Sequence, residues 1–120
     1  MAKILIHVTT GPDDATKAAL AFLVAKTALS EGHQVNLFLA GEGVRLFSDE
    51  ALANVVGTGT GKLSEHLDAI ISGGGRFYLS GMSAKARGFD ESLLANRPAE
   101  FAMPDVLVRL LVESDRSLTY

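Results

Sequence analysis

Ser80, Ser83, Lys85 and Arg87 form the densest run of chemistry-bearing side chains in the sequence, inside the stretch Leu79–Gly88 (LSGMSAKARG). Two hydroxyls and two cations follow a β-rich run, Arg76–Leu79, with Gly81 at the turn. Backbone N–H groups around Gly81, Met82 and Ser83, with Lys85 and Arg87 near them in sequence, suit a small anion. A second reading has Ser80 and Ser83 cap the turn that follows, with both cations solvated. Ser80 as a hydrolytic nucleophile would need a nearby base and a strained elbow. The G-x-S-x-G pattern of such elbows is absent, because Tyr78 precedes Leu79-Ser80, and His7 belongs to a different strand. No catalytic residue is therefore assigned.

Other chemistries fall away by residue type. There is no cysteine, which excludes disulfides, thiolate metal sites and thiol catalysis within the chain. His7, His33 and His66 lack metal-site spacing, and neither a metal nor a cofactor is expected. Asp13 and Asp14 are explained as helix-start acids that complement the dipole. Gly57–Lys62 (GTGTGK) invites a phosphate-loop reading. That motif needs Gly five positions before the Gly of Gly-Lys and Ser or Thr after it, whereas Val56 and Leu63 stand there. A flexible turn before a helix is the expectation.

The elements that must hold these residues follow from hydrophobic pattern. Lys3–Thr9 (KILIHVT) is a continuous apolar run with β-branched Ile4, Ile6 and Val8, suited to a strand covered on both faces. A helix is predicted from about Asp13 to Glu31, stopped by Gly32. Its middle, Ala18–Ala25 (AALAFLVA), is apolar all round, compatible either with exposed alanines or with a second subunit on its outer face. His33–Leu39 reads as a second strand, Arg76–Ser80 as a third, Phe101–Met103 as a minimal fourth and Arg116–Tyr120 as a short last one. Short helical pieces are expected at Val44–Phe47 and Asp49–Val55, with helix-like spacing over Phe89–Asn96. Lys62–Ser72 is amphipathic, with Leu63, Leu67, Ile70 and Ile71 inward and His66 on the solvated side. The last helix begins at Pro104, with Val106, Leu107, Leu110 and Leu111 inward. Strand, helix and strand in these lengths make right-handed βαβ units. The fold class is therefore a three-layer α/β/α sandwich with a mostly parallel five-stranded sheet, in one domain spanning 1–120. In a parallel sheet, Thr10 and Gly11, Gly41 and Gly43, and Ser80–Ser83 emerge on one edge, the usual ligand crevice.

Apolar residues make up 48% and charged residues 21%, an ordinary globular balance. A net charge of −3 argues against nucleic-acid binding, which needs a basic stripe. No apolar run approaches the roughly 20 residues of a membrane span. A cytoplasmic location is expected.

Four pieces in order carry a family resemblance: KILIHVTTGPDDATKAALAF, HQVNLFLAGEGVRLF, LSGMSAKARG and FAMPDVLVRLLVESDRSLTY. Together they resemble the DsrE/DsrF-like family of small sulfur-relay proteins, with its YchN-like and TusD-like members. The resemblance implies trimers or hexamers, or a hetero-oligomer with a cysteine-bearing homologue. Sulfur-carrying members place a persulfide-bearing cysteine at the end of the third strand. By the Arg87-Gly88 register that position is Ser80 here, and a second cysteine of some members falls at Ser83. A hydroxyl holds no sulfane sulfur. The resemblance thus implies a non-catalytic assembly or binding subunit of sulfur metabolism. The alternative is a small-molecule or anion-binding enzyme that uses the strand-edge crevice.

Overall fold

The computed structural model describes all residues, Met1–Tyr120. In chain order the strands are β1 (Lys3–Val8), β2 (Gln34–Leu39), β3 (Val56–Gly57), β4 (Gly61–Lys62), β5 (Arg76–Ser80), β6 (Ala99–Ala102) and β7 (Arg116–Thr119). The α-helices are α1 (Ala15–Ser30), α2 (Asp49–Asn54), α3 (Leu63–Ser72), α4 (Gly81–Ala86) and α5 (Pro104–Glu113), with 3-10 segments at Gly41–Phe47 and Glu91–Leu94. Five strands make one sheet in the order β6-β5-β2-β1-β7, every pairing parallel. Helices cover both faces, giving the α/β/α sandwich with its parallel five-stranded sheet.

Topology explains why the two covers differ. Each step from β1 to β2, β5 and β6 moves the same way across the sheet, and a right-handed crossover keeps all these connections on one face. Only the step from β6 back to β7 runs the other way, so α5 lands on the opposite face. The first face buries a cluster of 21 residues, including Ile6, Leu37 and Leu79 of the sheet, Phe22 of α1 and Ile70 of α3. Phe77 sits at its centre, its ring 5.8 Å from Phe22 and 4.9 Å from Phe47. The second face buries four: Leu5, Phe38, Ala102 and Leu110.

Helix ends follow the local chemistry. Asp14 caps α1 by accepting from the Lys17 N–H at 3.1 Å, and Gly32, at φ +91°, follows the helix in the left-handed region that glycine tolerates. Pro104 opens α5 at the position where its missing N–H costs nothing.

Several sequence expectations need correction. His66 is not solvated but 6% exposed, and its Nε2 lies 2.6 Å from the Thr60 carbonyl oxygen. A carbonyl only accepts, so the network assigns the hydrogen to Nε2 and leaves the buried Nδ1 without a partner. The cause is the Gly57–Lys62 segment, which is a β3–β4 antiparallel hairpin folded over α1 and α3. Thr58 N–H donates to Thr16 Oγ1 and Thr60 Oγ1 to the Thr16 carbonyl, both at 3.0 Å. That hairpin and α3 also occupy the flank of α1. Leu20 and Val24 are half-buried, and Ala18, Ala19, Ala21, Phe22 and Ala25 are buried. On α5, Leu110 is buried and Val106 and Leu107 half-buried, but Leu111 faces outward at 49% exposure. The fourth strand is Ala99–Ala102, because Ala99 and Glu100 pair with Phe77 and Tyr78 and Met103 has already left the sheet.

Candidate functional site

Parallel pairing aligns the C-terminal ends of the central strands: Val8 lies beside Leu39, Leu39 beside Leu79, and Ser80 beside Ala102. The segments after β1, β2 and β5 therefore meet at one edge, and close backbone packing joins them. A Cβ on Gly43 would sit 2.2 Å from the Val8 carbonyl oxygen, and one on Gly11 would sit 2.7 Å from Glu42 Cβ. Only glycine fits either position, since the obstructing atoms are mainly backbone. Gly41 turns the chain at φ +56° and sends its N–H to Ser83 Oγ at 2.9 Å.

Both serines are engaged structurally. Ser80 is buried at the end of β5, and its Oγ accepts from the Ser83 N–H at 3.1 Å, capping α4. Ser83 Oγ in turn holds the loop after β2. Thr10 is half-buried beside Gly11, while Met82 and Lys85 are exposed. Gly81 is open enough that a Cβ would meet nothing nearer than Phe101 Cβ at 3.8 Å.

Arg87 is held by Glu42 and by the Ser83 carbonyl. Its Nε donates to Glu42 Oε2 at 2.6 Å and its NH1 to the Ser83 carbonyl at 3.1 Å. The other carboxylate oxygen, Oε1, accepts from Arg45 Nε at 2.9 Å. Glu42 thus bridges two guanidinia. The hydrogen bond from Arg87, helped by Arg45, holds its carboxyl below the usual carboxylate range against a smaller desolvation effect. Beside this trio a groove of about 610 Å³ runs between the Pro12–Asp13 turn, α2 and Phe89. Its size suits a small ligand. Neither Glu42 nor Arg45 was singled out from the sequence. The signal was a charged side chain between two glycines, with a cation three residues on.

Residues 2–120 match the DsrE/DsrF-like family. The chain belongs to that family. Among solved structures, the crystal structure of the ychN protein from E. coli is similar with a TM-score of 0.80 and 17% identity, covering 100% of both chains. A conserved protein of unknown function from Bacteroides thetaiotaomicron, BT1422, is similar with a TM-score of 0.72 and 16% identity, over 99% of this chain and 95% of that one. At such identities these neighbours establish the DsrE-like fold alone. No curated protein matches the sequence. No helix of this DsrE/DsrF-like chain is long and apolar enough to cross a membrane.

Proposed function

We propose that this DsrE/DsrF-like chain is a non-catalytic assembly or binding subunit of cytoplasmic sulfur metabolism, working as a homo-oligomer or beside a cysteine-bearing homologue. The observation that carries the reading is the role of Ser80. Its hydroxyl stands where the resemblance puts the sulfur-carrying cysteine, and it caps α4 by accepting from the Ser83 N–H. A hydroxyl cannot carry or exchange sulfane sulfur, because both steps require a thiolate. Contact with other copies is supported by α5 and β7, where Val108, Leu111, Val112 and Leu118 are exposed. Three of these are on the outer side of α5, where Val112 is 78% exposed, an apolar surface that association removes from water.

Two measurements test this. The purified chain, incubated with a labelled sulfane-sulfur donor, is expected to gain no sulfur by intact-mass spectrometry, whereas Ser80→Cys gains one reducible adduct. Uptake by the unaltered chain with no other protein present refutes the reading. Native mass spectrometry of the chain purified from its source is expected to show more than one subunit. A lone monomer at micromolar concentration refutes the assembly half.

A further inference from the structure

A carboxylate held between two arginines has the arrangement of a bound anion. In this chain the carboxylate is supplied by Glu42, in the 3-10 segment Gly41–Phe47, with one oxygen on Arg45 Nε and the other on Arg87 Nε. Arg45 donates no other side-chain hydrogen bond and Arg87 donates one more, to the Ser83 carbonyl. Most guanidinium N–H groups therefore remain free, in a geometry suited to oxyanions. Both arginines line the groove of about 610 Å³. Arg45 is steadied by the Phe89 ring, 6.0 Å below its guanidinium carbon. The glycines fix the backbone of this segment, but the Glu42 side chain is 46% exposed and has open solvent to swing into. The groove is not uniformly basic. Asp13, Glu50 and Asn54 line it as well, so a partner's anionic end meets the arginines while hydroxyl or amino groups meet the acids and the amide.

We infer that the groove between the Pro12–Asp13 turn and α2 binds a small molecule bearing an oxyanion group, and that Glu42 is its internal competitor, occupying Arg45 and Arg87 until the ligand displaces it. The groove's lining includes neither Ser80 nor the exposed residues of α5 and β7, so the inference stands or falls separately from the assembly reading.

The test uses sulfate as the probe, titrated calorimetrically into the full chain at constant ionic strength. Glu42→Gln weakens the internal competitor and is expected to tighten sulfate binding about tenfold, the scale of one charge-assisted hydrogen bond. Adding Arg45→Gln to that variant is expected to remove the gain. Glu65→Gln, which makes the same change in net charge from an exposed position on α3, is expected to leave the affinity within about twofold. No gain in Glu42→Gln, an equal gain in Glu65→Gln, or a gain that survives Arg45→Gln overturns the inference. Nitrogen-15 spectra supply a second readout. Sulfate-induced shifts at the Arg45 and Arg87 Nε signals support the site, and shifts confined to the Gly81–Ser83 amides overturn it.

Discussion

On one face of the sheet α1, α3, the hairpin and the segments around α2 bury Phe22, Phe47 and Phe77 together, while on the other α5 stands alone over Leu5 and Phe38. The same sequence of right-handed crossovers produces both outcomes. Three steps in one direction stack their connections on one side, and a single return step leaves the other side thin. The thick face therefore carries the stability of the monomer. The thin face carries the exposed apolar side chains Val108, Leu111 and Val112. The strand-end junction is welded to the thick side through Gly11, Gly43 and Ser83, so the groove at Glu42 inherits a rigid floor.

The sharpest way to break this comparison is to hollow each face in turn. Phe77→Ala should cost about 3–5 kcal/mol in urea unfolding, whereas Leu110→Ala should cost nearer 2 kcal/mol, since its site is shallower and more able to collapse. Equal costs would mean that the faces are equivalent. Gly43→Ala should cost about 1–3 kcal/mol, because its new Cβ meets the Val8 carbonyl rather than a side chain that can move. A neutral result would show that the junction yields. Val112→Glu should change unfolding free energy by no more than about 0.5 kcal/mol, yet lower the particle mass seen by sedimentation. Loss of stability without a change in mass would place Val112 in the monomer's own core.

The smallest effect concerns His7, on the thin face with its ring 6.0 Å from Phe38. Burial pushes its imidazole below the ordinary value of 6.5. The unfolded chain then binds the proton first, so stability is full above that value and declines as pH falls from it toward the folded pKa. The urea midpoint should drop on acidification through this range, and His7→Asn should flatten the drop. The carboxyls of Glu42, bound by Arg87, and Asp90, bound by Ser92, are lowered as well. Their stabilisation is present above the carboxylate range and is lost at more acid pH, outside the His7 window.

What the sequence disclosed follows how local each signal is. The range Arg76–Ser80 for β5 was legible because an apolar run ends abruptly at Ser80-Gly81. The common edge of Thr10–Gly11, Gly41–Gly43 and Ser80–Ser83 was legible because parallel topology dictates it. Hairpin β3–β4 was not, since two-residue strands rich in glycine leave no periodicity, and the burial of His66 depends on that hairpin. The Glu42–Arg87 pair spans 45 residues, and nothing in the local pattern of either announces the other. Leu111 has ideal spacing for burial, but the thin face offers no second helix to receive it.

One pairing described earlier sets a schedule for the chain's biogenesis. β7 closes the sheet against β1, with Thr9 N–H reaching the Tyr120 carbonyl and Tyr120 N–H reaching the His7 carbonyl across 111 to 113 positions of sequence. Until Arg116–Thr119 has been synthesised, β1 is a bare apolar edge with Ile4 and Ile6 open to pairing with any other nascent strand. Translation that stalls before Arg116–Thr119 would therefore leave a species prone to aggregate.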